Sequence, residues 1–321
     1  MKAIRVASCG GAEVLRLEEV PPPSPGSGEV VMRVAAAGLN FIEVYQRTGL
    51  YPVPLPFTPG GEAAGEVIAV GAGVTSLQPG DRVASVAVQG AYAEQATLAE
   101  ERAIKLPATV TDEMAAAAML QGMTAHYLAH TTYPLKAGDS CLIHAAAGGV
   151  GLLLVQMAKR AAARVFATVS TEAKAELARQ AGADVVMRYT HEDFSAVVKE
   201  KTGGRGVNVV YDSVGQSTFE KSLACLAPLG MLVLFGQSSG PVPPVNPRVF
   251  AAGSFFFTRP SLFHYVADRA NLERRAGEVL GWVADGSLKL RIERRYPLAE
   301  AEAAHRALEG RETTGKVLLV P

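Results

Sequence analysis

The sequence predicts an α/β fold: a parallel sheet with helices on both faces, preceded by a β-rich segment. Three observations point there. From about residue 121 to 236, strand-like and helix-like segments alternate, the pattern of parallel strands joined by crossover helices. The first of these units carries Ala146-x-Gly148-x-x-Gly151 directly after the apolar run Cys141-Leu142-Ile143. Before it, short strand-like runs alternate with Pro- and Gly-rich breaks, which suggests a small barrel or partly open sheet.

In the β-rich part, residues 30–34 and 67–70 read as strands. Pro21-Pro22-Pro23 and Pro25-Gly26 break the chain between strands, and Gln78-Pro79-Gly80-Asp81 forms a tight turn into a strand from Arg82. Thr111 caps a helix whose apolar run is 115–120. The alternation that follows places strands at 165–169, 185–187, 207–212 and 231–235, with helices at 172–181, 194–201 and 218–226. The tail beyond about 260 reads as a helix over 272–284 with Trp282 as a packing anchor, a helix over 299–308 and a strand over 315–320.

Composition narrows the function classes. With 321 residues, the chain is long enough for two domains. Its 31 basic and 31 acidic residues cancel, so no net field invites nucleic acid or an anionic membrane. The three cysteines, Cys9, Cys141 and Cys225, are scattered and form no CxxC pair. A disulfide framework and a thiolate zinc knot are therefore not expected. The N-terminus lacks the apolar core of a signal peptide, and no apolar run spans a bilayer. A cytoplasmic protein is expected.

A side-chain-poor turn between strand and helix lets backbone approach a ligand, and the helix N-terminus favours an anion. The spacing 146–151 is the dinucleotide fingerprint with Ala in place of the first glycine. An acidic residue at the end of the second strand would select NAD. Here that strand ends at Ser170, with Lys174 one helical turn further on. A hydroxyl and an ammonium suit the 2′-phosphate of NADPH, whereas Glu172 would oppose it if it pointed inward. Tyr189, after the third strand, either stacks on adenine or packs.

The chain resembles the quinone oxidoreductases of the zeta-crystallin type, in the zinc-free branch of the medium-chain dehydrogenase/reductase superfamily. The matching motifs include Gly38-Leu39-Asn40-Phe41-Ile42-Glu43-Val44-Tyr45, Gly61-Glu62-Ala63-Ala64-Gly65, Pro79-Gly80-Asp81-Arg82-Val83, His144-Ala145-Ala146-Ala147-Gly148-Gly149-Val150-Gly151, Tyr211-Asp212-Ser213-Val214-Gly215 and Thr258-Arg259-Pro260-Ser261-Leu262. The resemblance implies a Rossmann doubly wound sheet, residues 121–260, inserted in a GroES-like catalytic domain of residues 1–120 completed by 261–321. It implies an NADPH-binding cleft between the two, a homodimer, and reduction of quinones. Cofactor contacts are carried onto Asn40, Phe41, Tyr45, Tyr127, Gly148, Gly149, Val150, Ser170, Lys174, Tyr189, Ser213, Phe235, Gly236 and Ser238. Phe256 and Phe257 are placed beside the nicotinamide, and Lys316 is a further contact.

Zinc alcohol dehydrogenases share the architecture implied by the resemblance. In this chain Asn40 stands where their first thiolate region begins, Gly60-Gly61-Glu62 has no His, and the four-cysteine lobe is missing. No metal is expected. His126 and His130, four residues apart on a helix, leave a metal pair geometrically open, but packed histidines are the plainer account. Without metal, an acceptor placed near the nicotinamide needs donors for the charge on its oxygen. Asn40, Tyr45 and Tyr51 are the candidates, and either tyrosine could deliver a proton. The alternatives to quinone reduction are reduction of enone or alkenal double bonds, and binding of NADPH without catalysis.

Overall fold

The computed structural model describes residues 1–321 and divides into two compact units: Met1–Leu120 with Ala267–Pro321, and Gln121–Val266. In chain order the first unit opens with the antiparallel pair β1 (Lys2–Arg5) and β2 (Arg16–Glu19). It continues through β3 (Glu29–Leu39), α1 (Phe41–Arg47), β4 (Ala63–Val70), β5 (Arg82–Ser85), β6 (Gln95–Ala99) and β7 (Ile104–Lys105). Strand β3 is long enough to pair with β4 along its length and with β6 over its first half. Arg33 and Ala35 face out while Val34 between them is buried, the period-two signature of a half-covered strand. The turn into β5 forms as its residues dictate: Asp81 N–H donates to the Gln78 carbonyl at 3.1 Å, and the Asp81 carboxylate accepts from Gln78 N–H at 2.9 Å.

Helix α2 (Asp112–Tyr127) runs on past the expected apolar segment. Thr111 caps it, accepting from Met114 N–H at 3.2 Å. A π-helical turn follows over Leu128–Thr132. The Tyr211 hydroxyl donates toward the carbonyls of Leu128 and Tyr133 that border this turn.

The second unit continues with β8 (Ser140–Ile143), α3 (Gly149–Arg160), β9 (Arg164–Val169), α4 (Glu172–Gln180), β10 (Val185–Arg188), α5 (Phe194–Lys201), β11 (Val207–Asp212), α6 (Phe219–Ala224), β12 (Leu226–Leu234), β13 (Phe256–Thr258) and α7 (Leu262–Tyr265). The six strands form one all-parallel sheet in the order β10-β9-β8-β11-β12-β13. This is the doubly wound Rossmann order, and strand order reverses at β8. The structure departs from expectation at α6 and β12. The helix is shorter than 218–226 because Leu226 already pairs with Val207, and a register shift lets β12 continue to Leu234. The core of this unit gathers Leu142, Phe166, Met187, Val210, Phe219 and Leu232.

The tail supplies α8 (Arg269–Ala284), β14 (Ile292–Pro297), α9 (Ala301–Glu309) and β15 (Lys316–Val320). Strand β15 pairs antiparallel with β3, extending the first unit's sheet to β14-β15-β3-β4-β5-β7. Its Val317 and Leu319 join Met32, Leu39 and Tyr92 in one core. The buried face of α8 is Leu272, Arg275, Ala276, Val279, Leu280 and Val283. Trp282 lies off that face and is half-buried. No helix is long and apolar enough to cross a membrane.

Candidate functional site

In an open parallel sheet, ligands bind outside the carboxyl ends of the strands. Five such ends in the second unit lead into sequence-predicted site residues, four of them directly and β8 after a short turn. Gly148, Gly149 and Val150 follow β8, Ser170 follows β9, Tyr189 follows β10, Ser213 follows β11, and Phe235, Gly236 and Ser238 follow β12. Backbone bonds hold neighbouring loops together: Ser238 N–H donates to the Ser213 carbonyl at 3.2 Å and Phe235 N–H to the Asp212 carbonyl at 2.8 Å.

Gly148 is the N-cap of α3, and the turn before it holds Ala145 in the left-handed region at φ 49°. The three glycines here differ in what they are needed for. A Cβ on Gly151 would strike the Ala145 carbonyl and lie 2.7 Å from Ala146 Cα, and one on Gly149 would strike the Gln121 side chain. Packing alone demands glycine at 151, where the atoms struck are backbone; at 149 they are the end of a flexible side chain. A Cβ on Gly148 would meet only the Ala145 carbonyl, at 3.1 Å, and its φ of −76° suits any residue. The protein's own packing presses on that position least, so close approach of a ligand is the stronger reason for glycine there.

At the ribose end, Thr171 caps α4 by accepting from Lys174 N–H at 3.3 Å. Ser170 is tied to the next loop, its carbonyl accepting from the Thr190 hydroxyl at 3.1 Å. Glu172, the residue that could oppose a phosphate, is turned to arginines: Arg179 at 2.7 Å and Arg188 at 3.4 Å. Those pairs are exposed and weak individually, but they fix the direction of the carboxylate.

Two groups of predicted residues fall outside this row of strand ends. Tyr127 closes α2 and is buried against Tyr265, the rings stacked at 4.2 Å and 9°. Phe256 and Phe257 lie within β13, where Phe256 registers with Met231 and Thr258 with Val233. They sit back from the carboxyl end of β12, and strand alternation sends their rings to opposite faces. Phe257 packs on Phe219 and Phe250, with centroids at 5.8 and 5.6 Å. The structure therefore does not bring the two phenylalanines together to flank one ring. The residue of this segment that joins the strand ends is Arg259, whose guanidinium donates to Gln237 Oε1 at 2.8 Å. The sequence reading gave Arg259 and Gln237 no role; the available signal was the motif Thr258-Arg259-Pro260-Ser261-Leu262, in which Arg259 stands.

In the first unit a second group of predicted residues converges around a buried charge. The Lys316 ammonium, at the start of β15, donates to Glu62 Oε2 at 2.5 Å and Asn40 Oδ1 at 2.7 Å. Asn40 Nδ2 donates to Glu62 Oε2 at 2.9 Å and to the Gly38 carbonyl at 3.2 Å. Glu62 Oε1 accepts from Leu120 N–H at 2.6 Å. Gly38 has no side chain because a Cβ would strike Glu62. An ammonium can only donate and a carboxylate can only accept, so the Asn40 amide is fixed in one orientation. Both its amide hydrogens are already donated within the chain. This corrects the expectation that Asn40 donates to a substrate oxygen: its side chain is a strut, and Lys316 brings the positive charge.

Beside it, Glu43 reaches back from the first turn of α1 to accept from Asn40 N–H at 2.8 Å. Burial pushes its carboxyl up to about 7, opposed by the charge of Lys316. Phe41, Tyr45 and Tyr51 form an aromatic ladder off the same helix, with centroids 6.0 Å and then 5.2 Å apart. Tyr51 N–H donates to the Tyr45 carbonyl at 2.9 Å, which holds the loop beyond α1 against it.

Comparison with known proteins places this geometry. The quinone oxidoreductase of Pseudomonas aeruginosa is 47% identical over 100% of this chain and 99% of its own length. The chain belongs to the quinone oxidoreductase family of the medium-chain dehydrogenase/reductase superfamily. A model of the alcohol dehydrogenase GroES-like domain matches residues 26–131, and one of the zinc-binding dehydrogenases matches 149–277. A 2-haloacrylate reductase from a Burkholderia species is 42% identical over 97% of this chain and 96% of its own. The crystal structure of Escherichia coli quinone oxidoreductase complexed with NADPH superposes with a TM-score of 0.98 at 43% identity, covering all of both chains.

The zinc in the name of the second family model does not fit these residues. Asn40 and Glu62 are the oxygen donors present, and a buried ammonium lies between them. A cation already occupies their lone pairs, and an amide–carboxylate pair is a poor zinc set. No group of three or more His, Cys, Asp or Glu is placed to hold a metal ion. His126 is buried with its ring 4.7 Å from that of His130.

Two outcomes are expected. Gly148→Ala should fold with a near-native melting temperature but lose dinucleotide affinity, whereas Gly151→Ala should be destabilised by roughly 1–3 kcal/mol through overpacking; calorimetry and cofactor titration read both. The second concerns Glu43. An ordinary glutamate ionises near 4.5, and the buried one near 7. Between those values the unfolded chain has lost a proton that the folded chain keeps, so this group makes stability fall as pH rises. His305 acts oppositely, since burial and then Arg47 lower it from 6.5 to about 3. Urea unfolding of Glu43→Gln and wild type should show a difference that grows in the variant's favour by about 3 kcal/mol from pH 4.5 to 7; a constant difference would contradict it.

Proposed function

We propose that this protein reduces quinones with NADPH, without a metal, converting quinone, NADPH and a proton to quinol and NADP+. The observation that carries the reading is the row of strand ends in the second unit, with Gly148 at a helix N-terminus and a ribose end that offers Ser170 and Lys174 in place of an acidic residue. The names of the relatives support the acceptor class: quinone oxidoreductases at 47% and 44% identity over nearly the whole chain. Two crystal structures with TM-scores of 0.98 and 0.97 hold NADPH.

In this reading the Gln121–Val266 unit is the NADPH-binding domain and the remainder is the catalytic domain. Gly149 and Val150 present backbone N–H groups to the pyrophosphate, while Gly148, whose own N–H is donated to the Ala145 carbonyl, leaves room for its approach. Ser170 and Lys174 hold the 2′-phosphate, with Tyr189 beside the adenine, and Ser213, Phe235, Gly236 and Ser238 border the nicotinamide half. Bound NADPH supplies the reducing equivalents. The aromatic ladder of Phe41, Tyr45 and Tyr51 stacks the flat acceptor, and Lys316 stabilises charge developing nearby. Tyr45 or Tyr51 gives the proton to the acceptor oxygen.

The protein acts as a cytoplasmic homodimer. The support for a second copy is β13, an edge strand of the parallel sheet, with Phe256 more than half exposed at 56%. An apolar sheet edge is a ready surface for self-association.

Purified protein should oxidise NADPH with a panel of small quinones, at a kcat/KM at least about tenfold above that with NADH. It should turn over 2-haloacrylates and enones more slowly; a reversed order would favour the double-bond reductase instead, and NADPH binding without any turnover would favour a non-catalytic role. Tyr45→Phe combined with Tyr51→Phe should lower kcat at saturating NADPH by about 10²-fold or more, and unchanged turnover would remove the tyrosines as proton donors.

A further inference from the structure

The fingerprint turn begins at His144, a residue the cofactor reading leaves without a role. Its backbone continues the β8–β11 ladder, N–H donating to the Tyr211 carbonyl at 3.1 Å. Its ring is buried, at 1% exposure, and sits edge-on to Phe194 at 4.9 Å. Both ring nitrogens are engaged: Nδ1 lies 2.8 Å from the Thr168 hydroxyl and Nε2 lies 3.0 Å from the Ser222 hydroxyl. Ser222 in turn donates to Asp212 Oδ2 at 3.0 Å. Thr168, Ser222 and Asp212 are buried as well.

The proton order along this chain follows from its acidic end. Asp212 accepts from Val214 N–H at 2.8 Å and Gly215 N–H at 3.0 Å through Oδ1, and from the Thr218 and Ser222 hydroxyls through Oδ2. Four donors mark an ionised carboxylate, which cannot donate. Ser222 therefore gives its only hydrogen to Asp212 and must receive from His144 Nε2–H. A neutral His144 then has a bare Nδ1, which accepts from the Thr168 hydroxyl. Burial lowers the basicity of His144, in keeping with a ring that stays neutral. Every polar hydrogen in Thr168–His144–Ser222–Asp212 points one way.

Thr168, His144 and Asp212 stand at the carboxyl ends of β9, β8 and β11, three adjacent strands at the reversal in strand order, and Ser222 reaches them from α6. Thr168 lies two residues before Ser170, His144 four before Gly148, and Asp212 next to Ser213. Ala146 N–H also donates to the Thr168 carbonyl at 3.1 Å, joining the turn to the same point.

We propose that Thr168, His144, Ser222 and Asp212 form one positioning network, which sets the spacing of the three loops that grip the pyrophosphate, the 2′-phosphate and the nicotinamide half of NADPH. The proposal rests on the reading of those loops as cofactor contacts. The network touches neither substrate nor reacting atoms, so it governs affinity for the dinucleotide and leaves the chemical step alone.

The test is NADPH titration with steady-state kinetics on the full chain. Thr168→Val and Ser222→Ala should each raise the NADPH Kd by roughly tenfold, as an unpaired buried group displaces its loop, with kcat at saturating NADPH and the quinone KM unchanged. Thr168→Ser, which keeps the hydroxyl, should restore affinity. The double variant should cost less than the product of the singles, because both act through His144. Folded Thr168→Val and Ser222→Ala with wild-type Kd, or independent effects in the double variant, would overturn the network. Should either variant fail to fold, His144→Gln, which retains a donor toward Ser222, against His144→Ala carries the same comparison. Lys174→Ala is measured alongside. Weakened NADPH binding there with none in the network variants overturns the network and leaves the strand-end reading standing; wild-type binding there with raised Kd in the network variants overturns the role of Lys174 and supports the network.

Discussion

The first unit depends on one buried ion pair. Lys316 and Glu62 are almost wholly removed from water, at 2% and 0% side-chain exposure, and meet at 2.5 Å. Burial of either charge alone would cost several kcal/mol. Each is tolerable only because the other is present and because Asn40 accepts from the ammonium and, with Leu120, donates to the carboxylate. The pair links β15, at the chain's end, to the turn before β4. That is a physical reason why residues after 267 belong with the first 120: the sheet pairing of β15 with β3 places the ammonium where a carboxylate already waits.

A different constraint governs the second unit. A six-stranded parallel sheet aligns its carboxyl ends, so residues far apart in sequence become a row by topology alone. The row is useful only if the loops keep fixed separations, and buried hydrogen bonds supply them without contributing any group of their own to a ligand. Such networks are worth having only when complete, since one unmet donor in a dry interior costs more than a formed bond contributes. The four donors on Asp212 and the two engaged nitrogens of His144 meet that condition.

What the sequence disclosed follows from the range over which each feature is decided. The glycine turn, the cap Thr111 and the alternation of strands and helices depend on neighbours within a few residues. They are legible because local propensity and tertiary structure agree. Ser170 and Lys174 were legible because their place relative to a strand end is fixed by the motif. The partner of Glu62 lies 254 positions away, and nothing local marks Lys316 as buried. For the same reason Asn40 looked like a free donor until both its hydrogens were found engaged. Phe256 and Phe257 follow another rule: within a strand consecutive side chains oppose each other, so one aromatic run serves two faces.

The buried ammonium stands where the oxygen donors of this region would otherwise face a metal ion. A metal ion would need neutral or anionic ligands with lone pairs aimed inward. The same region here has those lone pairs facing Lys316, whose charge is held by covalent attachment to the chain and needs no ligand exchange. A fixed monovalent cation polarises less strongly than zinc and cannot bind an alkoxide directly. It suits an acceptor that is already electrophilic, such as a quinone, better than an alcohol that must first lose a proton. Glu43, held protonated up to about pH 7 by its burial, limits the negative charge that gathers around that cation. Two ionised carboxylates would leave the cluster with a net negative charge and weaken its pull on a developing oxyanion. With Glu43 protonated, the charges of Lys316 and Glu62 balance, and the cluster carries no net charge into the dry interior.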